Sequence, residues 1–365
     1  MVFLHLAENR SDEKSAGARP VSEKKRSKTL RRVLVIVLSA VFAFILTSRG
    51  SSVVIFSFLF TRSDTPGVTE LVYADIDAGA YPRREISFIS DGASLFGCLY
   101  GEKSDGNAGL IVIVSGIGSG VDRHLTEIEY FVDRGFCVFA YDGTGVGRSG
   151  GKGTKGLPQF KRDLKAALDT LLCEQKLKEL PLFLYGHSAG GYAVTTVLPE
   201  YESVTASVSI SGFDSPNEIM WYHAKRYTGI LADIEYPFLC LQNFFVFGKD
   251  AGVRALDAIN KVDTPILIVE GSDDVVVPYE IGISRFSDKI TNPNVSYLLV
   301  DEAKRNGHST IWLTKDAAEY HYFLLDSGEN DPAKIDKDRV NKANVEFLET
   351  IVSFYLSAVG QNGDW

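Results

Sequence analysis

Pro181-Leu182-Phe183-Leu184-Tyr185-Gly186-His187-Ser188-Ala189-Gly190-Gly191 is the stretch on which the reading of this 365-residue chain turns. Its first half is an apolar and aromatic run suited to a buried strand. Its second half is G-x-S-x-G, and an Ala/Val/Thr segment suited to a helix follows. A serine between strand and helix must take up a cramped backbone conformation if its hydroxyl is to clear the sheet. Gly186, Gly190 and Gly191 supply the room. A helix starting at Ala189 would aim its free N–H groups and positive dipole end at that hydroxyl, which suits an anionic intermediate. The pattern is that of a nucleophile elbow.

A serine hydroxyl is a poor nucleophile at neutral pH, so it needs a base within reach and a third group to orient that base. Downstream, the strand-like run Pro265 to Val269 leads into Glu270-Gly271-Ser272-Asp273-Asp274-Val275-Val276-Val277-Pro278. The run Val295 to Val300 is followed by Asn306-Gly307-His308-Ser309. Each places a functional side chain beyond the C-terminal end of a strand. In an open parallel sheet those ends share one edge, where Ser188, an acid and His308 can converge.

The rest of the chain supports such a sheet. Glu85 to Ser90 and Ser94 to Tyr100 read as two strands joined at Asp91-Gly92, a hairpin signal. Leu110 to Val114 reads as a strand buried on both faces, then come a helix near Thr126 to Arg134, the strand Cys137 to Tyr141, and helical periodicity over Phe160 to Glu174. After Ala206 to Ile210 the alternation breaks into an aromatic-rich segment, about 212–261, expected to be a helical cap over the sheet. Tyr279 to Phe286 is expected to be helical, Asp326 to Arg339 to be a loop, and Ala343 to Leu356 a closing amphipathic helix. The fold class is α/β, a mostly parallel sheet with helices on both faces.

In these residues the chain resembles an α/β-hydrolase over about Glu85 to Leu356, closest to the monoglyceride-lipase and serine-aminopeptidase-like branch. Ser-Asp-His is that family's order, and an acid four residues before proline matches its acid loop, which selects Asp274 over Asp273. Gly307-His308 matches its histidine loop. Ser115-Gly116-Ile117-Gly118 resembles its H-G-x-G oxyanion motif with serine in place of histidine, and Asp142-Gly143-Thr144-Gly145-Val146-Gly147-Arg148-Ser149 resembles its D-x-x-G-x-G-x-S loop. The resemblance implies a triad of Ser188, Asp274 and His308. It also implies an oxyanion hole from the backbone amides of Ile117 and Ala189, with no cofactor and no metal.

The N-terminal part reads differently. A polar segment, 1–32, ends in the basic run Lys24 to Arg32; the uncharged stretch Val33 to Leu46 follows, and 33–48 is expected to be a transmembrane anchor, extended from Thr29 by snorkelling arginines. The positive-inside rule puts the basic tail in the cytoplasm and the hydrolase domain, 82–360, outside, after a linker at 49–81. The alternative is a signal peptide, cleaved near the small residues Ser48 to Ser52, and a secreted enzyme. Val53 to Phe60 is apolar but too short to span alone.

Composition narrows the function further. A net charge of −9 with no basic cluster in the body of the chain argues against nucleic acid as a partner. Cys98, Cys137, Cys173 and Cys240 are scattered without a C-x-x-C pair, and Cys98 and Cys137 read as small buried hydrophobes. Gly145 to Gly150 matches G-x-G-x-x-G, but glycine-rich coil follows it where a dinucleotide site needs a helix. His187 reads as structural, pointing away from the active face; His5, His124, His223 and His321 lack metal-ligand spacing, and Asp142 reads as a loop-holding acceptor. The function expected is a membrane-anchored serine hydrolase cleaving a small-molecule ester through an acyl-enzyme on Ser188. A peptidase or amidase with the same triad, and a non-catalytic binding module of the same fold, are the alternatives.

Overall fold

The computed structural model describes residues 21–64, 66–103 and 106–362. The basic-tail reading for residues 1–20, and His5 with it, lies outside them. Two compact units are present, Met1–Gly50 and Ser51–Trp365. In the first, the described residues are helical, within α1 (Val21–Leu59), and residues 28–46 are exposed along its length. The stretch Lys28–Leu59 is long and apolar enough to cross a membrane.

The second unit is built on one eight-stranded sheet. Its strands are β1 (Arg83–Ser90), β2 (Ala93–Tyr100), β3 (Leu110–Val114), β4 (Cys137–Asp142), β5 (Leu182–His187), β6 (Val204–Ile210), β7 (Ile266–Gly271) and β8 (Val295–Val300). They lie in the order β1-β2-β4-β3-β5-β6-β7-β8. The β1–β2 hairpin pairs antiparallel and β2 joins β4 antiparallel; every pairing from β4 to β8 is parallel. Parallel neighbours require crossovers, and these supply α2 (Leu125–Asp133), α3 (Pro158–Leu171), α4 (Gln175–Lys178), α5 (Ala189–Thr196), α6 (Pro216–Thr228), α7 (Ile230–Phe247) and α8 (Ala255–Ile259); α9 (Lys315–Ser327), α10 (Lys337–Val340) and α11 (Val345–Asn362) follow β8.

Two apolar cores flank the sheet. One gathers α3 and α5 against β3, β5 and β7 through residues such as Leu164, Leu168, Tyr192 and Leu184. The other gathers α2 and α11 through Ile128, Phe131, Ile351 and Tyr355. Successive residues of β3 and β5 feed opposite cores, which is why their sequences are continuously apolar rather than alternating. Cys98 and Cys137 are wholly buried with free thiols, and burial pushes both thiol pKa values up to about 12, which leaves them inert as nucleophiles.

The end of α1 belongs to this unit. Phe56 and Phe60 are buried in the α3-side core, and Ser51 Oγ donates to Glu235 Oε2 at 3.2 Å. The segment after α1 is fastened just as firmly. Ser63 pairs with Val146, and the Arg62 guanidinium donates to the carbonyls of Ser149 (2.9 Å), Gly151 (3.1 Å) and Gly147.

Two local expectations fail. Residues 279–286 form turns and a short 3-10 helix, Ser284–Phe286, because Pro278 starts a turn that takes the amides of Ile281 and Gly282, and the Ser284 amide is taken by Glu270. Residues 326–339 are ordered into the end of α9, a 3-10 turn and the start of α10. Asp331 and Asp336 cap the latter two, so their polarity reflects capping rather than an irregular loop.

Candidate active site

β5 is central, paired to β3 on one side and β6 on the other, and Ser188 follows it directly. Ser188 sits at φ 57°, ψ −116°, a left-handed conformation that a side chain rarely adopts and that stores strain at the turn. The turn is held by Ser188 N donating to Ile210 O at 2.8 Å and by Tyr192 N donating to Ser188 O at 3.0 Å. Its glycines are obligatory. A Cβ on Gly186 would lie 2.3 Å from the Gly190 carbonyl oxygen, and one on Gly190 would lie 1.9 Å from the Val114 carbonyl oxygen. Ala189 opens α5, so its amide and the helix's positive end face the serine.

The loops after β7 and β8 are stitched together before their side chains meet. Asp273 N donates to Asn306 O at 3.0 Å, Asn306 Nδ2 donates to Ser272 Oγ at 3.0 Å, and Gly271 lets the two backbones approach more closely than a Cβ would permit. Asp274 is buried. Its Oδ1 accepts from the amides of Val276 (2.9 Å) and Val277 (2.8 Å), which fixes the carboxylate and leaves Oδ2 to His308 Nδ1 at 2.8 Å. Asp273 is exposed, and its side chain makes no hydrogen bond among the described residues.

His308 is brought to the serine through His187. The two imidazoles lie 4.7 Å apart between centroids, and His187 Nε2 lies 2.8 Å from the His308 carbonyl oxygen. Because a carbonyl can only accept, the proton is on Nε2 of His187. Burial first, and then the neighbouring His308, hold His187 well below the ordinary histidine range, so its ring is neutral. Trp312 packs edge-on against that ring at 4.8 Å. The side chain of His187 therefore serves the histidine loop, where the sequence suggested that it points away. Its position directly before the serine was the only signal. The Ser188 hydroxyl makes no hydrogen bond to His308 among the described residues; catalytic hydrogen bonds of this kind tighten when substrate binds.

The loop after β3 closes over the elbow. A Cβ on Gly116 would lie 3.2 Å from Ser188 Cβ, which places this loop's backbone against the nucleophile. Ser115 Oγ donates to Gly120 O at 3.1 Å and closes the loop on itself, and Ser63 Oγ donates to Gly118 O at 2.9 Å from outside. Ile117 lies in the turn between them, half exposed. Asp142 accepts from the amides of Val121 (2.9 Å) and Arg148 (2.8 Å), so it holds the neighbouring glycine loop; burial pushes its pKa up and those two amides pull it back.

Residues 105–236 match the family model described as serine aminopeptidase, S33. A Pyrococcus furiosus esterase superposes with a TM-score of 0.52 at 18% identity, covering 74% of this chain and 97% of that one. The chain has the α/β-hydrolase fold, and part of it is similar in sequence to that superfamily. Two curated relatives agree. An uncharacterized Bacillus subtilis protein, YqkD, is 26% identical over 219 residues, 58% of this chain and 68% of its own length. The human α/β hydrolase domain-containing protein 17B is 26% identical over 176 residues, 48% of this chain and 51% of its own. The match thus spans about half to two thirds of these relatives. The family model supports hydrolase activity, and the structural neighbours support the fold.

Proposed function

We propose that this chain is a membrane-anchored serine hydrolase that cleaves carboxylic esters through an acyl-enzyme on Ser188. The observation that carries the reading is the buried Asp274 carboxylate, locked by two amides and aimed at His308 Nδ1. In the first half-reaction His308 Nε2 takes the Ser188 proton as Oγ attacks the ester carbonyl. Asp274 holds the imidazole in the required tautomer and stabilises the imidazolium. The amides of Ile117 and Ala189 receive the oxyanion, each such donor being worth roughly 3 to 4 kcal/mol. His308 then protonates the departing alcohol, and a water activated by the same histidine releases the acid. The aromatic cap, α6 and α7, is tied to the acid loop by His223 Nε2 and the Val276 carbonyl at 2.8 Å, and forms part of the apolar wall on the acyl side.

Labelling of the full chain by a fluorophosphonate probe tests the reading. The parent should label, Ser188→Ala should not, and a folded parent that stays unlabelled would leave only a binding module. The family model's aminopeptidase description favours a second reading, peptide or amide cleavage by the same triad. Parallel rates on nitrophenyl esters and aminoacyl nitroanilides decide between the two.

A further inference from the structure

The cap helix α7 is apolar on two opposite sides. Its inward side packs through Ala232, Leu239, Asn243 and Phe247, all buried, with Asn243 Nδ2 donating to Asn217 Oδ1 at 2.8 Å and to Ala251 O at 3.1 Å. Its outward side carries Ile230, Ile234, Pro237, Leu241 and Phe244 at spacings of four, three, four and three residues. At 100° per residue they fall within an arc of about 80°. Ile230 is 74% exposed, Ile234 44%, Leu241 41% and Phe244 58%. Ordinary surface helices alternate charge with such residues; this stripe has none. Asp233 flanks it and is neutralised by Lys225 at 3.1 Å. The last turn of α6, just before α7, presents Arg226 and Tyr227, both exposed, the latter at 83%. A basic residue, an amphipathic aromatic and aliphatic side chains together match the requirements of the water–lipid boundary.

What covers the stripe follows from where α7 is tied. Ser51 Oγ donates to Glu235 Oε2, on the turn of α7 that also carries Ile234. Ser51 stands five residues beyond Leu46, the last residue of the uncharged run, a tether of at most about 17 Å even when fully extended. If the uncharged run spans the bilayer, the first turns of α7 are leashed to its surface. The helix would lie on that surface rather than cross it, because its inward side is committed to the hydrolase domain and because Asp233 and Glu235 interrupt it.

We infer that the outward stripe of α7 docks on the phospholipid bilayer in which the chain is anchored, so that the cap rests at the lipid surface. The inference rests on the anchored reading under Proposed function and on no property of the triad.

The test uses the full chain with Cys173→Ser and Cys240→Ser, reconstituted in phosphatidylcholine vesicles, with an environment-sensitive fluorophore on Ile234→Cys, Leu241→Cys or, as a remote exposed control on α11, Ser353→Cys. Doxyl-labelled phosphatidylcholine should quench the fluorophore at 234 and 241 at least two-fold and leave 353 unchanged. Equal, weak quenching at all three positions would overturn the docking. So would a response at 234 that follows the protein-to-lipid ratio and ignores the doxyl lipid, which would mean that a second copy covers the stripe. Carbonate washing of the same vesicles distinguishes the failures: a chain that washes off has no anchor, and the docking falls with it. Fluorophosphonate labelling of the same samples reports the hydrolase reading separately.

Discussion

His187 and His308 touch as a pair in which the first ring's Nε2 donates to the second residue's backbone carbonyl at 2.8 Å. Since Ser188 is the next residue after His187, one imidazole fixes the spacing between nucleophile and base. His187 contacts no reacting atom in the proposed mechanism; it is a positioning residue. His187→Ala should lower kcat by roughly ten- to a hundred-fold, the cost of about 1 Å of misplacement, with KM nearly unchanged. Steady-state kinetics with circular dichroism as a folding control measures this. A fall in kcat/KM caused by KM alone would mean that His187 shapes binding rather than position.

The two neighbouring acids should separate cleanly. Asp274→Asn keeps the shape but presents Nδ2–H to His308 and strands the wrong tautomer, a change that in related triads costs on the order of 10⁴ in kcat. Asp273→Asn alters an exposed side chain and should be nearly silent. If Asp273→Asn were the crippling change, another carboxylate would have to orient His308.

Much of this was legible in the sequence, for reasons that can be named. Continuous apolar runs announced β3, β5 and β7, and chemistry-bearing residues just past strand ends lie at one edge once the strands are parallel. The resemblance to the family's acid loop, through the spacing to Pro278, selected Asp274 over Asp273; the amides of Val276 and Val277 that fix one of its oxygens carry no sequence signature. The role of His187 was not legible. Its ring keeps to the face of Phe183 and Tyr185, beside Trp312, and the partners it meets there lie more than a hundred residues on in the sequence. The attachment of 60–64 to the glycine and oxyanion loops was also hidden, because Arg62 and Ser63 donate to backbone carbonyls, which carry no side-chain signature.

The elbow glycines make a stability prediction independent of chemistry. Gly190→Ala would drive a Cβ to 1.9 Å from the Val114 carbonyl, and backbone on both sides leaves nothing flexible to move. The variant should lose more than about 4 kcal/mol or fail to fold, which denaturant melts would show. Gly252→Ala, where no atom lies within 4 Å of the added methyl, is the control.

Histidines shielded from water set an acid limit on stability. Burial, with Arg123 nearby, lowers the half-buried His321 to about 4, and burial, with His308 nearby, holds His187 well below its usual range. Both stay neutral in the fold and take up a proton on unfolding once pH falls below about 6.5, the ordinary histidine value. Unfolding therefore gains up to about 1.4 kcal/mol per pH unit from each between that value and its folded pKa, so their contribution to stability shrinks as pH drops. Buried carboxylates raised by desolvation, such as Asp163 and Glu270, act with the opposite sign, so the test is a difference. His321→Gln should flatten the fall in Tm between pH 6.5 and 4 relative to the parent. Parallel curves would show that His321 does not contribute to it.

Orientation in the membrane follows from charge placement, and it can fail in two distinguishable ways. Six of the nine residues from Lys24 to Arg32 are basic, and the fourteen residues that follow, Val33 to Leu46, carry no charge. Basic side chains held beside an apolar span are retained on the cytoplasmic side, so everything from Ser51 onward is expected outside. Protease added to intact cells should then digest the hydrolase domain while an epitope placed at the N-terminus stays protected. If the domain is protected instead, the orientation is reversed and the ester substrate must be cytoplasmic. A mature chain beginning near Ser51 would show that the apolar run is a cleaved signal. Phe56 and Phe60 would keep their places in the core, and the domain would be released intact.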